Sequence, residues 1–160
     1  MAIALSGGST SFTSTISASP AANRAVTVPD ADFTMVGVDL TQTLTAKTLT
    51  NPTVTNYVES LVAIGNSGTS QTISLTNGTV QTVTLTGNCT FTMPTATAGK
   101  SFLVIAVQDG TGSRTVTFTS VKWAGGTAPT MTTTATTGRD IFSFVSDGTN
   151  WYGTASQAFA

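Results

Sequence analysis

Apolar and polar residues alternate through much of the chain after residue 60, in short runs broken by Gly, Asn and Asp. Gln71-Thr-Ile-Ser-Leu-Thr and Gln81-Thr-Val-Thr-Leu-Thr place an apolar side chain at every second position, the pattern of strands with one buried face. Thr, Val, Ile and Phe fill these runs, and branched or aromatic side chains suit a pleated surface. No window carries a clean 3.6-residue apolar stripe, so long helices are not expected. At most a short helical turn falls at Asp39–Lys47 or Val58–Ala63. The chain reads as all-β.

Two internal repeats divide it. In the first, Thr41-Gln-Thr-Leu-Thr, Ala46-Lys-Thr-Leu-Thr and Asn51-Pro-Thr-Val-Thr put Leu44, Leu49 and Val54 in a five-residue register. Side chains five apart on a strand point to opposite sides. That suits a chain winding around its neighbours, as in an intertwined fibre, with these three residues at the contacts; a short loop with accidental Thr repetition is the competing reading. Ahead of the repeat, Ser11–Ser19 is rich in Ser and Thr, and Pro20 and Pro29 interrupt pairing. Residues 1–30 are therefore expected to form an extended arm that orders on a partner, and with the repeat at 41–55 the attachment arm is expected to run over 1–60.

The second repeat is the pair of runs starting at Gln71 and Gln81, followed by Cys89-Thr-Phe-Thr-Met93. Its buried candidates, Ile73, Leu75, Val83, Leu85, Phe91 and Met93, are all odd-numbered. A two-residue hairpin loop would oppose residues of unlike parity, so either the loops are odd or bulged, or these strands are not neighbours. Asn77-Gly-Thr and Asn88-Cys-Thr read as the turns between them. Further on, Phe102-Leu-Val-Ile-Ala-Val107 is apolar on both faces and predicts a central strand. Asp109-Gly-Thr-Gly112 predicts a tight hairpin setting Ile105 against Val116 and Leu103 against Phe118. Val121–Trp123, Ile141–Val145 and Asn150–Thr154 bring the count to about eight strands. Short strands at this spacing predict a β-sandwich head of jelly-roll type over residues 65–160.

Composition changes what such a head can do. Of 160 residues, 36 are Thr and 16 Ser, only 8% are charged, the net charge is −1 and there is no His. An ordinary domain has about 25% charged residues. Without His the commonest general base and metal ligand is missing. Near-neutrality argues against a nucleic-acid partner, which needs a basic patch, and no apolar run is long enough for a membrane span. The first residues lack the basic flank and apolar core of a signal peptide. Cys89 has no second cysteine to pair with.

The candidate motifs are thin. Pro94-Thr-Ala-Thr-Ala-Gly-Lys-Ser101 resembles a phosphate-binding loop but has Pro94 for the first Gly and leads into a strand. The Ser and Thr hydroxyls have no recognisable base partner, and no pair of acids stands out for glycosidase chemistry. Asp30 and Asp32 read as a solvated turn rather than a Ca²⁺ site. No cofactor and no enzyme activity is expected. Trp123, Trp151 and Tyr152 are candidates for a partner or saccharide surface, with core packing as the competing reading.

Val26-Thr-Val-Pro-Asp-Ala-Asp-Phe-Thr-Met-Val-Gly-Val-Asp39 and the Thr41–Pro52 run resemble the linking segment of tailed-bacteriophage fibre and other virion proteins. Val107–Phe118, Val121–Thr130 and Asp147–Gly153 resemble the C-terminal β-domain of phage fibres, spikes and decoration proteins. The resemblance implies a homotrimer with an N-terminal attachment segment and a β-rich head, and no catalytic residues. The chain has almost no shaft between arm and head, unlike a long tail fibre. The expected function is a cement or head-fibre protein on the capsid exterior, binding the major capsid protein or another virion protein through residues 1–60. The alternative is the receptor-binding tip of a tail fibre or spike that contacts host glycan.

Overall fold

The computed structural model describes residues 43–44 and 47–159. The expected arm over 1–42, with Asp30 and Asp32, lies outside the described residues. The chain divides into two compact units, Met1–Pro52 and Thr53–Ala160. In the first, the described residues carry no strand or helix and are exposed.

In the second unit, nine strands form among the described residues: β1 (Leu61–Asn66), β2 (Ser70–Thr72), β3 (Val80–Leu85), β4 (Cys89–Thr92), β5 (Ser101–Gln108), β6 (Val116–Phe118), β7 (Val121–Trp123), β8 (Arg139–Ser146) and β9 (Trp151–Phe159). A 3₁₀ turn at Ala124–Gly126 is the one helical element described. The helical turn expected at Val58–Ala63 is absent, because β1 starts at Leu61 and pairs with β3.

The strands build a six-stranded sheet in the order β1-β3-β5-β8-β9-β7 and a three-stranded sheet in the order β2-β4-β6. The first six strands alternate between the two. β1, β3 and β5 pair parallel in one sheet, and β2, β4 and β6 pair parallel in the other. One circuit runs from Leu61 to Val80 beside it, and the next from Val80 to Leu103. The result is a short parallel coil of the β-helix type. β8 then pairs antiparallel with β5 and β9, and β7 runs parallel to β9 at the far edge.

An all-β chain of two packed sheets is thus present, but its connections differ from a jelly roll. Jelly rolls are made from antiparallel Greek keys, and here the first three strands of each sheet are parallel. The parity of the second repeat resolves accordingly: β3 lies in the other sheet from β2 and β4, and β2 and β4 pair in parallel with Gln71 beside Phe91, so odd residues meet odd ones. Ile73, Val83, Leu85 and Phe91 all turn inward, each exposed by 2% or less, with Leu75 and Met93 packed against them.

The hairpin expected at Asp109–Gly112 does not form. Ile105 lies between Thr82 and Ile141, and Val116 lies beside Cys89. β5 is apolar on both faces, so its pattern alone left the inward side undecided; Phe102, Val104 and Ala106 are the ones that turn in. The chain instead turns a corner from one sheet to the other. Asp109 Oδ1 accepts from the backbone N–H of Thr111 and Gly112, and its carboxylate binds the Arg114 guanidinium at 2.9 Å. The buried Gln108 side chain accepts from Arg114 N and donates to the carbonyls of Arg114 and Thr132.

The core between the sheets is aromatic. Phe118 of the small sheet stacks on Phe91 and meets Phe142, Phe144 and Trp123 of the large one at centroid distances of 4.9–6.0 Å. Phe102 packs on Phe144 and edge-on to Trp151. Gly153 makes room for this: a Cβ there would stand 2.6 Å from the Trp123 ring.

Candidate functional site

Leu44, Leu49 and Val54, the residues expected to make trimer contacts, are 50%, 60% and 58% exposed. Tyr57, Val58 and Leu61 follow at 68%, 91% and 60%. The five-residue pattern says nothing about Tyr57 or Val58, and only their size and apolarity mark them out. Residues 53–60 lie in no strand, and they lead directly into β1.

The three aromatic candidates separate. Trp151 is 2% exposed, and its indole N–H donates to the Pro94 carbonyl at 2.8 Å. Trp123 is half-buried among Phe118, Phe142 and Phe144. Both pack the core, and of the three only Tyr152, 45% exposed, presents a ring outward. Parity explains the split: neighbours on a strand face opposite ways, so Trp151 in the core puts Tyr152 on the surface.

Tyr152 is tied to the β8–β9 turn. Its hydroxyl donates to Asp147 Oδ2 at 2.9 Å, and Asp147 Oδ1 accepts from the backbone N–H of Asn150 and Thr149, both at 2.7 Å. Those backbone donors, with the Tyr152 hydroxyl after them, hold the Asp147 carboxyl down at about 2. The same hydrogen bond and the nearby negative charge push the Tyr152 phenol up. Asp109 is also held low, chiefly by its hydrogen bond to Arg114.

The Pro94–Ser101 loop is a connection between sheets. Its Gly99 N–H donates to the Ser146 carbonyl and its Lys100 N–H to the Thr97 carbonyl, so these amides are not offered to an anion, and β5 follows. Beside it a shallow groove of about 320 Å³ is lined by Glu59, Asn77, Thr79 and Lys100. Glu59 accepts a hydrogen bond from Thr79. Cys89 is buried and unpaired, and burial pushes its thiol up, away from the reactive thiolate. Among the described residues no three His, Cys, Asp or Glu side chains cluster as metal ligands, and no helix is long and apolar enough to cross a membrane.

The outer faces of the two sheets differ. The small sheet presents Ser70, Thr72, Thr90, Thr92 and Thr117, all exposed hydroxyls in lateral register. Across the large sheet, Leu61, Val80, Leu103 and Ser143 form one outward row, and Ala63, Thr82, Ile105 and Ile141 form the next. The double-faced apolar pattern of Phe102–Val107 was the sequence signal for this second surface.

The chain matches no protein-family model, no curated protein and no solved structure.

Proposed function

We propose that the chain is a phage virion structural protein, a trimeric capsid decoration protein of the cement or head-fibre kind. Residues 1–60 form the attachment arm and bind the major capsid protein or another virion protein, and the β-rich unit is the exterior knob. The resemblance of Val26–Pro52 and of the β-domain segments suggests the class. The observation that carries the reading further is the exposure of Leu44, Leu49 and Val54 in a five-residue register. Burying one such side chain between subunits contributes about 1.5–3 kcal/mol. Function is adhesive on this reading: apolar burial with no bond made or broken.

Leu49→Asp is expected to turn trimers into monomers in light scattering, and a stable trimer of that variant overturns the arm contacts. Antibody labelling of intact particles tests the location. Label over the whole capsid supports decoration, and a chain missing from purified particles overturns the virion reading. A second reading, a receptor-binding tip, draws on Tyr152, an exposed ring whose hydroxyl is held by a carboxylate, which suits stacking on a sugar. It requires label at tail ends and glycan binding by the full chain that is lost in Tyr152→Ala.

A further inference from the structure

We infer that the outer face of the six-stranded sheet is buried against further copies of this chain. The inference rests on the trimeric reading above and names the surface that closes the trimer.

The two outer faces set up the contrast. On the small sheet the outward residues of β2, β4 and β6, Ser70, Thr72, Thr90, Thr92 and Thr117, all carry hydroxyls, as suits a solvated surface. On the large sheet the outward positions of four adjoining strands include Leu61, Val80, Leu103, Ile105, Ile141 and Val145. Ile105 and Ile141 stand directly opposite each other at its centre. Leu61 and Val145 are 60% and 51% exposed.

Size and charge point to a second copy. Four strands at ~4.8 Å and about seven residues at ~3.3 Å make a face of roughly 450 Å² in projection. Thr82, Ser101 and Ser143 share it with the aliphatic side chains, whose patch is of the order of the largest that a typical monomer leaves uncovered, about 300–600 Å². A stable interface needs about 800 Å² per partner. The exposed run Val54, Tyr57, Val58 and Leu61, which leads into edge strand β1, supplies further apolar area. Among the described residues, charge lies at the margins: Arg139 and Lys122, Glu59 at the end of the Val80–Leu103–Ser143 row, and Asp147 beside Tyr152. With both signs at the rim and no charge on the outward positions of β3 and β5, the face meets its own copy without net repulsion. The sheet edges are poor alternatives, because β1 is interrupted by a bulge between Ala63 and Gly65 and β7 has three residues.

The test is the mass of the full-length chain by light scattering. Ile105→Lys is expected to give folded monomers, and Thr72→Lys on the hydroxyl face is expected to leave the trimer intact. If Ile105→Lys loses its β circular dichroism, Ser143→Arg replaces it; Ser143 is exposed beside Leu103 and supports no core contact. Trimers of both face variants, with monomers of Leu49→Asp, overturn the face and leave the trimeric reading standing. A monomeric wild type overturns both readings, whereas dissociation by Thr72→Lys equal to that by Ile105→Lys overturns the face alone.

Discussion

Asp147 shows how a sparse set of charges is used. Its carboxylate closes the β8–β9 turn by accepting from Thr149 N, Asn150 N and the Tyr152 hydroxyl. Its pKa is about 2 in the fold against an ordinary 3.8, so the stabilisation is complete above the ordinary value and is lost as pH falls through about 2. Tyr152 carries the opposite sign: its raised pKa favours the fold at lower pH, and that contribution fades as the phenol ionises. Asp147→Asn is expected to return the Tyr152 titration toward its ordinary value, since the negative charge and the strong acceptor go together. An NMR titration of the Tyr152 ring checks this, and an unmoved midpoint refutes it. Asp147 was legible beforehand only as part of an Asp-Gly turn, because the partner that shifts it depends on which way Tyr152 faces.

At the scale of elements, the long connection between β7 and β8 is held by one carboxylate. Asp140, fully buried, accepts from Thr132 N at 2.7 Å, Thr132 Oγ1 at 2.6 Å and Ala158 N at 2.9 Å, so it pins both the connection and the end of β9. Asp140→Ala takes the acceptor from the part-buried Thr132 N–H and leaves Ala158 N–H with Thr132 Oγ1 alone, and is expected to cost about 1–3 kcal/mol in urea denaturation. Loss of less than about 1 kcal/mol would show that the connection does not depend on Asp140. The strands themselves were largely legible: β3, β4, β5, β7, β8 and β9 lie where the alternation of Val83, Phe91, Phe102, Trp123, Phe142 and Trp151 with polar neighbours put them. Their pairing was not. Alternation reports which side of a strand is buried and not which strand lies beside it, and Gln108 and Asp109 make a corner where Asp109-Gly-Thr-Gly112 reads as a hairpin.

For the whole molecule, cohesion rests on the aromatic contact between sheets. Phe118 is its meeting point, touching Phe91, Trp123, Phe142 and Phe144. Phe118→Ala is expected to cost about 3–5 kcal/mol and to lower a single cooperative thermal transition, since both sheets lose the same side chain. Two separate transitions would show that the sheets unfold independently. Composition already indicated a surface poor in charge. It could not indicate that the small sheet's outer face carries hydroxyls alone while the large sheet's mixes them with aliphatic residues, because that sorting follows from the circuit of the coil.

The same circuit gives the chain something like a reading frame. The runs at Gln71 and Gln81 are ten residues apart, yet they fall on opposite sheets, so one repeat is half a circuit rather than a whole one. A deletion of ten residues sends every later strand to the wrong side of the core, much as a single-base loss garbles a message. Loss or gain of a full turn keeps each strand on its own side, and the turns here differ in length, 19 residues from Leu61 to Val80 and 23 from Val80 to Leu103. The coil can therefore change by whole circuits, whatever the length of the loops between its strands.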